Sequence, residues 1–567
     1  MALLGRPKAG AAVIAIALLL SLPSLFSPLF IDEYVQAARW KAGLGSFLNN
    51  CFVFGAPAIN RQEIEHTHGV WWTAPDFKIA FWRPLSAATH AVDLSLWPGN
   101  PVLMHLHTLL WFLGLLLALH ALYRRFLTPG VASVALALYA WDDARGMLLS
   151  WIANRAALIA GLFGVCTLLA YDKWRRDEWH AGAWLAPALL AVGLLSGEMA
   201  LATTGFLFGY ALCIDKGPIA RRLVRLAPYA LIVVAWQAFY FAFGYGTQAS
   251  GSYTHPLLEP LSYAMKVLQR APILSLGQLT PVLSDAFGMF PPAGKAAVFL
   301  LAVATVVVVA RVAWPRLAPD PQARFWLIGA GLSLLLICAT GPQDRNLVFV
   351  GFGVAPALAV VIASMVRDPP VSRWPRFVAG ALAVFNLVLA PLQLPLKCVM
   401  MLAAERMMAA VDKTIPRDAG VAGKTLVVPW MAFEPAVYFS WYKRDFEGAH
   451  KPGKARILAS SFGDVLVTRL DDVTLRLRPS DGFVGSEASQ VFRGPSRPFH
   501  RGDEVLLSNM TASVTEITVD GRPQTVEFRF AASLESPEWL WMRGNGSGLV
   551  GWTPPKVGET VVVPAVR

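Results

Sequence analysis

Acids and arginines occur in this sequence where an apolar run has just ended, and there they could do proton and phosphate chemistry. The first such run closes in Leu-Phe-Ile-Asp32-Glu33-Tyr34. A second group reads Trp141-Asp142-Asp143-Ala144-Arg145 and continues to Ser150-Trp151-Ile152-Ala153-Asn154-Arg155. A third is Ser196-Gly197-Glu198-Met199, and a fourth is Gly341-Pro342-Gln343-Asp344-Arg345-Asn346. Ionisable groups at the edge of a hydrocarbon slab are costly unless paired or hydrated, which makes them functional candidates by default. A plainer reading stands beside each. Asp32 and Glu33 could be a solvated helix end, and Asp142 and Asp143 an N-cap. Glu198 could neutralise Arg155 or Arg145, and Arg345 could be the counter-ion of Asp344.

The elements that must position these turns follow from composition. Of 567 residues, 55% are hydrophobic and 15% charged, with mean hydropathy +0.49. Soluble chains carry roughly a quarter charged residues, so repeated membrane spans explain the excess. The net charge of +12 does not point to nucleic acid, because the basic residues lie in short clusters between apolar runs. The fold class expected is mainly α, a polytopic transmembrane bundle with a small β-rich extracytoplasmic domain at the C-terminus. Eleven spans are expected, at 10–29, 102–122, 129–141, 155–171, 182–196, 199–213, 226–244, 296–313, 325–340, 347–366 and 377–395. The first reads as an uncleaved span, since no small-x-small cleavage site follows it and Asp32 and Glu33 come next.

Basic clusters fall at every second boundary: Arg6/Lys8, Arg124/Arg125, Lys173/Arg175/Arg176, Lys216/Arg221/Arg222/Arg225, Arg311/Arg316/Arg324 and Arg367/Arg373/Arg376. The positive-inside rule makes these cytoplasmic and puts all four acidic turns outside. Spans three and five are short, which lets their outer turns dip below the surface, as at many substrate sites. The transmembrane domain is expected over 1–395, with outer loops 31–100 and 245–295. A periplasmic domain is expected over 396–567, where Thr425–Val428, Asp464–Leu470 and Val526–Phe530 read as strands. Of the five cysteines, Cys51 and Cys398 would share the oxidising side and could form a disulfide.

The sequence resembles a family. Trp82-Arg83-Pro84-Leu85, followed by Asp93, Asn100-Pro101, His105 and Tyr123-Arg124-Arg125, is similar to the start of polytopic O-mannosyltransferase-like membrane proteins. Ser150-Trp151-Ile152 with Asn154-Arg155 resembles their Ala-Trp-Ile-Ser-Gly-Arg turn, and Ser196-Gly197-Glu198 their Ser-Lys-Glu. Asp344-Arg345, with Leu347 and Gly351-Phe352-Gly353, resembles their Glu-Arg-Tyr-Leu stretch. Asp32-Glu33 looks like the Asp-Glu pair of protein O-mannosyltransferases and related C-type (GT-C) glycosyltransferases. The series runs in order over residues 10–395. It departs from the family where Ala140-Trp141-Asp142-Asp143 stands for His-Pro, where Gly197 replaces Lys, where no Pro-Ser follows Arg345, and in a β-rich tail instead of helical repeats. These departures leave the acceptor open.

The resemblance implies a polyprenyl-phosphate-linked sugar as donor and a hydroxyl-bearing acceptor, protein, lipid or polysaccharide, meeting at the outer face of a bacterial inner membrane. Nucleic acid is not an expected partner. Transfer needs a base for the hydroxyl proton, and Asp32 supported by Glu33 is expected to supply it. The phosphate leaving group needs a cation, an arginine or a divalent metal; Arg345 is expected to hold it, with Arg83 or Arg270. Asp142, Asp143, Glu198 and Arg155 are expected to orient an acceptor or a metal. Direct displacement would invert the sugar. The stretch Glu63-Ile64-Glu65-His66-Thr67-His68 has metal-ligand types but no third distant ligand, and reads as a solvated loop. Trp71/Trp72 and Tyr253-Thr254-His255 read as interfacial aromatics or sugar-stacking surfaces. The alternatives are a lipid or glycan transporter or flippase, and a non-catalytic envelope scaffold.

Overall fold

A computed structural model of the chain describes residues 8–282, 284–367 and 372–565. Arg6, in the first basic cluster, lies outside them. Every segment expected to span is helical. Among the described residues, six helical stretches are long and apolar enough to cross a membrane: Ala9–Phe26, Pro101–Phe126, Ile152–Arg176, Pro292–Leu317, Asp344–Arg367 and Arg373–Thr414. Five more are apolar but shorter. The protein is therefore a multi-pass membrane protein.

Local sequence explains where these helices begin and end. Pro101 and Pro321 sit at first-turn positions, where the missing N–H costs nothing. Just before them, Asn100 and Asp320 accept the backbone N–H of Leu103 and Gln322 at 3.3 and 2.9 Å. Arg124/Arg125, Lys173/Arg175/Arg176 and Arg367 occupy last turns, where cations complement the helix dipole. These basic clusters hold acids as well: Asp172 meets Arg125, and Asp215 is held by Arg175 and Arg225, both at 3.0 Å. Small residues let the helices approach. A side chain at Gly353 would meet the Trp326 carbonyl, and one at Gly205 would meet Leu332.

The outer segments are more structured than their sequence announces. Strands Phe52–Gly55, Lys78–Phe81 and Gly246–Gln248 form a three-stranded antiparallel sheet that joins the two outer loops. The second loop also holds a twenty-residue helix, Pro260–Leu279.

The C-terminal region holds two sheets. One is six-stranded and antiparallel, including Val465–Arg469 and Pro523–Phe530. The other is mixed: Thr425–Val428 pairs in parallel with Lys454–Ile457, across the helix Pro435–Glu447, and with Trp539–Gly544. This region packs on the first outer loop. Trp71 and Trp72 are each 1% exposed, donating their indole N–H groups to the carbonyls of Leu458 and Ser489. They are neither interfacial belt nor sugar platform, because the tail covers them. All five cysteines are free, so the expected pairing of Cys51 with Cys398 is not made.

Candidate functional site

A cavity of about 1210 Å³ opens at the end of the bundle expected to face outward. Its walls come from both outer loops, from the turns near residues 151–157, 197–202 and 339–346, and from the C-terminal region. Asp32, Arg83, Glu198, Arg270 and Arg345 line it; Glu33, Asp142, Asp143 and Arg155 do not.

Asp32 stands in the first turn of the helix Ile31–Trp40, half-buried, and its carboxylate has no hydrogen-bond partner among the described residues. Burial raises its pKa from the ordinary 3.8 to about 6, against the pull of Arg345 and Arg83. Glu33 points elsewhere, because successive helical residues are about 100° apart around the axis. One of its oxygens accepts the Phe30 N–H at 2.9 Å, and the other accepts the Ala153 N–H at 2.7 Å. Glu33 thus caps its own helix and pins it to the turn Ile152–Asn154. The expectation of a second carboxylate at the cavity is corrected to a buried anchor behind Asp32. Burial, and then the adjacent Asp32 charge, raise the Glu33 pKa to about 7.

Arg345 lies in the one-turn helix Asp344–Leu347. It donates Nε–H to Gln343 at 2.8 Å and Nη1–H to Asn154 at 2.9 Å, with its guanidinium 4.5 Å over the Trp151 ring. No carboxylate pairs with it among the described residues, and its Nη2 is without a protein partner there. Asp344 is not its counter-ion. The Lys397 ammonium sits between Asp344, at 2.9 Å, and Asp143, while Ser284 donates its hydroxyl to Asp344 at 2.5 Å. Asp142 accepts the Ala144 N–H at 2.9 Å and the Gln278 amide at 2.8 Å. Both aspartates are therefore set behind the cavity wall, one by a lysine and one by an amide and a turn N–H.

Two further pairings correct the sequence reading. Arg155 is fully buried and bound to Asp93 at 2.5 Å, with Thr108 and the Met104 carbonyl accepting at 3.0 and 2.8 Å. It ties helices together and does not reach the cavity. Glu198 is paired with neither Arg155 nor Arg145: Arg83 grips it two-pronged, Nε and Nη2 lying 3.0 and 2.7 Å from Oε2. Tyr240 donates its hydroxyl to Glu198 Oε1 at 2.8 Å. This pair lines the cavity with its charges cancelled.

The acids expected to orient a metal are thus occupied by cations, an amide or a backbone N–H. Among the described residues, no group of three or more His, Cys, Asp or Glu could hold an ion. The 63–68 stretch does not converge either. Glu63 accepts the Tyr442 hydroxyl at 2.9 Å, His68 stacks on Trp441 at 5.0 Å, and Glu65 and His66 stay at the surface. Among the described residues, then, the side chains do not gather into a site for a resident metal.

The sequence reading missed several cavity residues. Asp285 lines it and accepts the Asp344 N–H at 3.1 Å; burial, then the Asp344 charge, raise its pKa to about 6. Its signal was an acid inside an apolar stretch of the second outer loop. Tyr438, Tyr442, Glu487 and Phe492, from the C-terminal region, also line the cavity, and nothing local marked them.

Fold and site together define a multi-pass helical membrane protein with a cavity in which, among the described residues, Asp32 has no hydrogen-bond partner and Arg345 no carboxylate partner. No protein-family model and no curated protein matches the sequence. Among solved structures the chain is similar to ArnT from Cupriavidus metallidurans bound to undecaprenyl phosphate. The identity is 14% and the TM-score 0.40, over 77% of this chain and 85% of that one. It is also similar to the Archaeoglobus fulgidus oligosaccharyltransferase tethered with an acceptor peptide, at 12% identity and a TM-score of 0.40. That match covers 81% of this chain and 64% of the other, less than two thirds of its length.

Proposed function

We propose that the protein is a GT-C-type glycosyltransferase that moves a sugar from a polyprenyl-phosphate carrier to an acceptor hydroxyl at the outer face of a bacterial inner membrane. The observation that carries the reading is two groups in one cavity, the Asp32 carboxylate, without a hydrogen-bond partner among the described residues, and the Arg345 guanidinium, without a carboxylate partner among them. This reading has the N-terminus in the cytoplasm and the C-terminal domain in the periplasm, which the positive-inside pattern of the charge clusters supports. On this reading Asp32 accepts the proton of the acceptor hydroxyl as its oxygen attacks the anomeric carbon. The bond from that carbon to the phosphate oxygen breaks, and the polyprenyl phosphate leaves with its charge held by Arg345. Attack opposite the leaving group inverts the anomeric centre. Glu33 acts as a positioning residue, fixing the turn on which Asp32 rides. Arg83, committed to Glu198, shapes the wall without offering a free charge.

The test is Asp32→Asn in the full chain, reconstituted with polyprenyl-phosphate sugar. A drop in sugar release of about a hundredfold or more, with unchanged expression and melting temperature, is the expected result. Undiminished release sinks the reading, and translocation of the intact lipid in place of transfer moves it to the flippase class.

A further inference from the structure

Arg270 is 6% exposed, yet its one partner among the described residues is the Cys338 carbonyl, which accepts from Nη1 at 2.9 Å. Arg270 lines the cavity, and its other donors have no partner among the described residues. Lys266 stands one turn earlier on the same helix, Pro260–Leu279, and Lys295 comes from the first turn of Pro292–Leu317; both line the cavity as well. Like charges four residues apart on a helix repel, and a buried cation without a counter-charge is costly. Among the described residues the carboxylate that answers these three cations is Glu487, 3.7 Å from Lys295 and largely exposed. Such an arrangement lacks an anion.

This group comes from other elements than Arg345, which lies in the turn Asp344–Leu347. Arg345 is held by Gln343 and Asn154, whereas Lys295 lies beside Glu487 and Arg270, on Pro260–Leu279, holds the Cys338 carbonyl. The other side of the same helix says where the anion comes from. Leu261, Met265 and Leu268 are 78, 68 and 74% exposed, spaced as one apolar stripe. At the outer boundary of a membrane protein, a helix with a polar cavity face and an exposed apolar face lies in the lipid interface. A molecule with a charged head and an apolar tail satisfies both faces at once.

We propose that Lys266, Arg270 and Lys295 form an anion subsite that binds the phosphate headgroup of a second membrane-borne amphiphile, the acceptor. This rests on the reading of the cavity as a sugar-transfer site with the donor phosphate at Arg345. Lysine and arginine together suit a phosphate, which accepts charge-assisted hydrogen bonds from several directions.

The experiment measures binding without any sugar donor, so its failure is separate from failure of the transfer reading. The purified full chain in phosphatidylcholine nanodiscs is titrated with dioctanoyl phosphatidic acid, dioctanoylglycerol and inorganic phosphate. Binding of the phosphatidic acid alone is expected, weakened about tenfold or more in Lys266→Gln/Lys295→Gln. The Lys266→Arg/Lys295→Arg protein is expected to keep it, which separates lost charge from lost fold. Equal binding by wild type and the glutamine variant overturns the proposal. So does binding of inorganic phosphate as tightly as the lipid, which makes the occupant a soluble anion. Binding of the neutral dioctanoylglycerol as tightly as the acid overturns it too.

Discussion

Carboxylates of two kinds sit in or behind the walls of one cavity and differ in their company. Asp143 and Asp344 share the Lys397 ammonium in a buried cluster, with Ser284 completing it. Asp32 lines a cavity with no hydrogen-bond partner among the described residues, and Arg345, lining the same cavity, has no carboxylate partner among them. Removing one member of a buried ion group leaves charge that neither water nor protein answers. An unpartnered carboxylate beside a cavity has already met that cost and gains from a ligand. The first group holds turns in place, and the second has its chemistry to spare. Acids with identical side chains are thus divided by what tertiary packing sets beside them.

The sharpest way to break that contrast is Lys397→Met. It is expected to destabilise the protein by about 3–5 kcal/mol, read as a fall in melting temperature or loss of folded material. Adding Asp143→Asn and Asp344→Asn is expected to recover most of it, since the charges then vanish together. Failure of that rescue would show the lysine to be packing and not a counter-charge.

Arg345→Lys is expected to behave in the opposite way. Stability should be nearly untouched, while transfer falls about a hundredfold, because an ammonium cannot both keep the Gln343 and Asn154 contacts and offer a free planar N–H edge to the phosphate. A variant equal to wild type in transfer would remove Arg345 from the site.

The smallest effect is the pH dependence. A base works when deprotonated, so transfer should fall about tenfold for each pH unit below about 6. Stability at this position runs the other way. The folded carboxyl holds its proton more tightly than the unfolded one, whose value is near 3.8, so its contribution is fullest below that value and declines as the pH rises to about 6. Melting curves of wild type and Asp32→Asn should therefore converge toward acid pH. A difference independent of pH would exclude Asp32 as a raised carboxyl.

Much of the frame was legible in the sequence. Apolar length and helix-end residues such as Asn100-Pro101 and Asp320-Pro321 act locally, and each expected span is helical. The outer strand Val526–Phe530 was legible for the same reason, through its alternation. The helix Pro260–Leu279 was not. It has one polar face toward the cavity and one apolar face exposed, so no run of uniform hydropathy announced it.

The sequence by itself determined that this is a membrane-embedded helical chain, and it gathered ionisable turns on one face, since hydropathy and charge placement act through near neighbours and the bilayer. Tertiary structure alone decided which of those ionisable groups are spent. Arg83 finds Glu198 at 115 residues' separation, and Lys397 finds Asp344 at 53. It also decided that the C-terminal region supplies a wall of the cavity. The physical reason is that a charge is neutralised by whatever packing brings within a few ångströms, and separation along the chain does not encode that distance.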